Sequence, residues 1–297
     1  MLLRAVSCGI VNIKLSATAA VVLLALAQSE NGPREPFKVF GNTYHVGTSG
    51  LGSILITNGG PSILIDGAMT QSPPIIEANI RKLGFKPADI RLIVASHAHF
   101  DHVGGIAALQ RASGAEVAAR GPQKTALERG EPTPDDPQFG FGKKANEFPA
   151  LKNVRAIADG ETLRVGDLAI TAHAVPGHTP GSTAWTWRAC EGARCYDIVY
   201  VDSLNPVSSP GFRFTGDASH PSRVESFRKS IETIRKLPCD IMLGPHTSFI
   251  GMDAKLAGRS PGSSADPFVD ANACKTFAAE ADKKLDDRIA EEQRGRR

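Results

Sequence analysis

The stretch SHAHFDHVGG, residues 96–105, decides how the rest of the chain is read. It sets three histidines and one aspartate within six consecutive positions, His97 to His102, directly behind the apolar run DIRLIVA. Imidazole and carboxylate together suit zinc and similar divalent ions. His97 and His99 alternate, so in extended or turn backbone both can face one way. Asp101 and His102 follow where the chain bends towards a helix, and they can face a neighbouring point. Local geometry forbids one ion from taking all four side chains. Two ions sharing the stretch, each completed from elsewhere in the chain, is the natural reading.

The completing ligands should sit where strands end in turns. His178 in PGHTPGS and His246 in LGPHTS meet that condition. His45 and His173 lie within strand-like stretches, and His220 precedes a helix. A structural or half-exposed role is expected for the first two, and a surface capping role for His220.

Around these residues the pattern alternates between strand and helix. TYHVGT, GSILITNG and PSILIDGA read as strands ended by Gly, Pro and Asn turns. SPPIIEANIRKLGF has helical spacing and stops at Gly84. DIRLIVAS is a buried strand, GGIAALQRASG a helix, and EVAAR a further strand. ETLRVGDLAITAHAV predicts a strand pair, STAWTWRA and YDIVYVDS a hairpin, SRVESFRKSIETIRKL an amphipathic helix, and CDIMLGPH a strand. A long helix is expected from about Asp266 to Gln293. GEPTPDDPQFGFGK, residues 130–143, predicts a long loop in which Phe139 and Phe141 would help to cover a bound substrate. Strands followed by helix, twice over, suit two face-to-face sheets with helices outside, an α/β chain with an αββα four-layer arrangement.

The 297 residues suffice for one large domain or two small ones, and the 41% hydrophobic content provides a core. A net charge of +3 with no basic stripe gives no reason to expect a nucleic-acid partner. Arg4 and Lys14 precede the apolar run ATAAVVLLALA, which ends in Ala25-Leu26-Ala27. Charged region, short apolar region and A-x-A together form the secretory signal pattern, and the run is too short to span a bilayer. Residues 1–27 are therefore expected to be a removable signal peptide, 28–36 a polar linker, and 37–297 one domain. The expected location is periplasmic or secreted, with no membrane attachment after cleavage. Removal of the leader takes Cys8 and leaves four cysteines. An even count in an exported chain points to disulfides, although four cysteines allow three pairings. Cys190 and Cys195 flank a hairpin-like EGAR, Cys239 starts a strand, and Cys274 sits on the late helix; Cys190–Cys195 and Cys239–Cys274 are the expected bridges.

The motif His97-Ala98-His99-Phe100-Asp101-His102 after a buried strand resembles the H-x-H-x-D-H of the metallo-β-lactamase superfamily. SILIDGA, PGHTPGS, VDSLN and GPH follow in that family's order. The resemblance implies the αββα sandwich with metals at one edge. In detail the chain is similar to the subclass B3 zinc β-lactamases, through GHTPGS, the serine of DSL and the late cysteine pair. That likeness implies two Zn2+ per chain. His97, His99 and His178 would hold the first, and Asp101, His102 and His246 the second. It implies hydrolysis of the β-lactam amide of penicillins, cephalosporins and carbapenems, with Asp101 also orienting the nucleophile. Ser203 and Asn205 would contact the substrate, Asp66 would brace the ligand loops, and Thr179 and Ser182 would stabilise the His178 turn. A monomer acting on a small-molecule β-lactam is expected. The alternative is a lactonase or thioesterase of the same fold, because such relatives carry a metal-bridging aspartate near this DS segment. Strand alternation gives only one of Asp202 and Ser203 to the site, and Ser203 is expected to be the one.

Overall fold

The computed structural model describes residues 30–218, 220–260 and 265–295. The expected leader, and the first two residues of the expected linker, lie outside the described residues.

Three central strands are apolar on both faces: β3 (Ile54–Thr57), β4 (Ser62–Ile65) and β5 (Ile90–Val94). Successive side chains on a strand point to opposite faces, so a sheet covered on both sides needs apolar residues nearly throughout. Ile54, Ile56, Ile63, Ile65, Leu92 and Val94 enter one core, whereas Leu55, Leu64 and Ile93 enter another. These strands sit in a sheet ordered β1 (Phe37–Phe40), β2 (Thr43–His45), β3, β4, β5, β6 (Glu116–Arg120), β7 (Arg155–Ile157). Pairing is antiparallel as far as β4 and parallel from β4 onward. The second sheet is ordered β12 (Ile241–Leu243), β11 (Arg194–Tyr200), β10 (Thr183–Glu191), β9 (Leu168–Ala174), β8 (Thr162–Val165).

Helices cover the outside. On the first sheet, α1 (Pro73–Lys82), α2 (Ile106–Ser113) and α3 (Gly121–Arg129) contribute Ile76, Ile80, Ile106, Leu109 and Leu127 to the outer core. The other core joins both sheets and runs on to α4 (Val224–Lys236) and α5 (Ala273–Arg294) through Phe227, Ile231, Ile234, Phe277 and Leu285. The fold is the αββα sandwich.

Strand direction gathers the site. β9 and β11 each pair antiparallel with β10, and β12 runs parallel to β11. Their C-terminal ends therefore leave the second sheet on one edge. The end of β5 meets them there: Thr183 N donates to Ser96 O at 2.8 Å, and Trp185 Nε1 donates to Ala95 O at 3.0 Å.

Disulfides join Cys190 to Cys195 across the β10–β11 turn, and Cys239 to Cys274. Two boundaries differ from expectation. The last helix begins at Ala273 rather than near Asp266. Asp266 and Asp270 instead accept from the backbone N–H of Phe268 and Asn272, which are turns that compete with helix. Cys239 lies just before β12, which begins at Ile241. Among the described residues no helix is long and apolar enough to cross a membrane.

Candidate metal centre

Behind the motif, the Asp66 carboxylate accepts from Ser96 N at 2.7 Å, Ser96 Oγ at 2.8 Å and Tyr200 OH at 2.7 Å. Asp66 and Ala68 both adopt left-handed backbone, φ 62° and 53°. Such conformations persist only where the surroundings enforce them. Here the loop is pressed against the motif's last turn. A Cβ on Gly105 would lie 2.2 Å from Gly67 O, and one on Gly104 would lie 2.6 Å from Thr70 N, so both glycines closing VGG are required by this approach. The chain thus turns sharply after His99 into the one-turn helix Phe100–Val103, which brings Asp101 and His102 into a second group beside His97 and His99.

Two groups of potential ligands result. His97, His99 and His178 form one, and Asp101, His102 and His246 the other, with the donor atoms in each lying within 4.8 Å of one another. The groups share a wall: the His97 and His102 rings are 4.3 Å apart, centroid to centroid. His45, His173 and His220 stay outside both. His45 is buried and stacks on Phe37, and His173 pairs with Thr186. His220 does not cap α4, whose N-cap is Arg223.

The second ring nitrogens explain how the first group is oriented. His97 Nδ1 donates to Asp202 Oδ1 at 2.7 Å, His99 Nε2 to Asp136 Oδ1 at 3.2 Å, and His178 Nδ1 to Asn205 O at 2.8 Å. Such outer partners fix ring orientation and leave the opposite nitrogen for an ion. His97 Nε2, buried and without any partner, is such an atom. The turn carrying His178 is closed by Ser182 Oγ, which bonds Thr179 N and Thr179 Oγ1.

Charge favours a cation as well. Burial and the neighbouring imidazoles hold His97 well below the usual histidine range. Burial likewise takes His178 down to about 3 and His246 to about 4. Neutral imidazole is the form that binds metal. Burial works to raise the Asp101 carboxyl, but the charge and hydrogen bond of His102 overcome it and hold that carboxyl low. His102 responds in kind: burial lowers it, but Asp101 raises it to about 9. A metal ion could take the place of that proton. The fit of orphaned nitrogen, neutral rings and ionised carboxylate makes this a metal-binding centre.

A cavity of about 190 Å³ opens over both groups. Ser203 and Asn205 line it, and the buried Ser203 Oγ has no partner. The alternation expected for Asp202 and Ser203 does not hold, because β11 already ends at Tyr200. Both residues reach the site: Ser203 faces the cavity, and Asp202 stands behind His97. The 130–143 loop contributes Gln138 to the lining, whereas Phe139 and Phe141 point outward, 38% and 46% exposed. Asp136 in that loop was not singled out by sequence reasoning. Its adjacency to His99 spans 37 positions, and no local spacing signals it.

Comparison with known proteins agrees with this architecture. The metallo-beta-lactamase superfamily model matches residues 53–246, and the chain belongs to that superfamily. Among solved structures, it is 43% identical to the Rm3 metallo-beta-lactamase at TM-score 0.86, covering 90% of this chain and 98% of that one. It is 41% identical to MEM-A1, a subclass B3 metallo-beta-lactamase isolated from a soil metagenome library, at TM-score 0.85, covering 90% and 99%. A hydroxyacylglutathione hydrolase from Anaeromyxobacter dehalogenans is 32% identical over 45% of this chain and 40% of that protein. The chain spans about half the length of the curated relatives it matches.

Proposed function

We propose that the protein is an exported β-lactamase that holds two zinc ions and opens the β-lactam ring of penicillins, cephalosporins and carbapenems, conferring antibiotic resistance. His97, His99 and His178 hold the first ion, and Asp101, His102 and His246 the second. Two bound zinc ions supply Lewis acidity and bring the pKa of water towards 7.

The chain's own residues do the rest. Asp101, kept ionised beside His102 and His246, orients the attacking water and accepts its hydrogen bond. Ser203 and Asn205 offer hydrogen-bonding groups on the cavity wall to the substrate carboxylate. Asp202 and Asp136 keep the first two rings in place. Residues 1–27 act as the leader, and the mature chain works as a monomer in the periplasm or outside the cell.

The observation that carries the reading is the position of Asp202. Its Oδ1 is taken by His97 Nδ1 at 2.7 Å, on the far side of the ring from the cavity. Asp202 has no place in the cavity lining, although its Oδ2 is unpartnered, and the unpartnered Ser203 hydroxyl fronts the cavity instead, which favours the lactamase reading over a relative with a metal-bridging aspartate. The likeness to B3 enzymes over nine-tenths of this chain supports the same reading.

The test is hydrolysis of a carbapenem and a cephalosporin by zinc-loaded protein, with and without chelator, beside an acyl-homoserine lactone and an acylglutathione thioester. Chelator-sensitive opening of the two antibiotics is expected. Cleavage of the lactone or thioester alone would make the chain a different hydrolase of this fold.

A further inference from the structure

We infer that Glu30, in the segment preceding the first strand, is a positioning residue for the second metal ion, acting through His246. The role rests on the proposed ligand sets and goes beyond them, because it brings a residue from outside the sheets into the site.

The four histidines other than His246 in the two groups differ in their support. His97, His99 and His178 each have a protein partner on the second ring nitrogen. His102 Nδ1 has none and is buried. His246 turns Nε2 towards Asp101 Oδ2, 3.7 Å away, and Nδ1 towards Glu30 Oε1, 3.8 Å away. The nitrogen facing Asp101 is the one that belongs to the ion. The nitrogen facing Glu30 is where a supporting carboxylate acts on a ligand histidine. At 3.8 Å the two atoms are beyond direct hydrogen-bond distance, and a small movement or one water completes the contact.

Glu30 is placed there by its backbone. Its carbonyl accepts from Gly50 N at 2.8 Å, Thr48 Oγ1 at 2.7 Å and Ser49 Oγ at 3.1 Å. The same loop grips the other side of the pair: Thr247 N donates to Gly50 O at 2.9 Å, and Thr247 Oγ1 donates to Ser49 O at 2.9 Å. The loop at 48–50 thus fixes Glu30 and the residue next to His246 relative to each other. Gly50 permits the approach, since a Cβ there would lie 2.7 Å from Glu30 Cβ. Cleavage at the expected point after Ala27 would leave Glu30 in the exported chain, close to its new end.

The experiment is a zinc-binding titration of the exported chain against a chromophoric chelator, read as two separate dissociation constants. Wild type, Glu30→Ala, Glu30→Gln and Glu35→Gln are compared. Glu35 pairs with Lys82 and serves as the control for loss of a nearby charge in the same segment. The Ala variant is expected to bind the second ion about 10-fold more weakly, at the lower end for such supporting partners, with the first ion unchanged. The Gln variant, which keeps a hydrogen-bond acceptor, recovers part of the loss, and Glu35→Gln matches wild type. A second-ion affinity in Glu30→Ala equal to wild type, or an equal loss at both ions, overturns the inference while leaving the ligand sets intact. A wild-type chain that binds only one ion removes the ligand sets themselves, and the role of Glu30 with them.

Discussion

In the trio of His97, His99 and His178, each ring is braced at its second nitrogen, by Asp202, Asp136 and the Asn205 carbonyl. In the trio of Asp101, His102 and His246, one ring nitrogen is orphaned and another reaches its nearest carboxylate only at 3.8 Å. Burial differs too: all three members of the first trio are buried, whereas Asp101 and His246 are partly exposed. The same fold edge has thus built one rigid pocket and one looser one, sharing the wall of His97 and His102. Pre-organised donors lose less on binding, so under the proposed two-ion reading the first trio is expected to be the tighter metal site and the second the one whose ion exchanges.

The largest effect that could break this comparison comes from the braced trio. His178→Ala should remove the first ion and lower turnover on the order of a thousandfold, since an ion contributes several kcal/mol to such a transition state. Metal analysis and steady-state rates check it; a variant that still carries two ions contradicts the assignment. His246→Ala should bring metal content from two ions towards one and lower turnover strongly, but by less than His178→Ala. Two ions per chain in that variant would remove His246 from the second site.

Removal of a brace should cost less than removal of a ligand. Asp202→Asn keeps the shape beside His97 but loses the charge, and a roughly 10- to 100-fold fall in first-site affinity or activity is expected. A loss that appears at the second ion instead would mean that Asp202 braces the other trio, and the contrast between the two would fail.

The smallest effect concerns how β12, which leads to His246, is held. It is an edge strand, and the Cys239–Cys274 bridge ties the residue two before it to α5. The 35-residue separation predicts about 3–4 kcal/mol of stability from this bridge, against about 2 kcal/mol for the 5-residue Cys190–Cys195 hairpin. Thermal melting of Cys239→Ser/Cys274→Ser should therefore fall further than that of Cys190→Ser/Cys195→Ser. Any loosening of metal should appear at the second ion only.

Much of the site was legible because its chemistry is local. The spacing of His97, His99, Asp101 and His102 carries two members of each trio in six positions, and strand ends point to His178 and His246. The sandwich followed from doubly apolar strands such as SILI. What stayed hidden depends on distance or on where regular structure stops. Asp136 meets a histidine 37 positions away and Glu30 one near the other end of the fold, and nothing in their own neighbourhoods marks them. Alternation assigned Asp202 and Ser203 to opposite faces, but β11 had ended two residues earlier. The tail helix starts later than its composition predicts, because Asp266 and Asp270 form turns ahead of Ala273.

The most direct test of the unequal trios is to add zinc stepwise to metal-free protein while following carbapenem hydrolysis and bound metal together. A first ion that binds tightly and a second that binds more weakly are predicted, with the second step lost in His246→Ala and the first in His178→Ala. Two ions taken up in one indistinguishable step, or a fully loaded protein that leaves the carbapenem intact, would contradict that prediction.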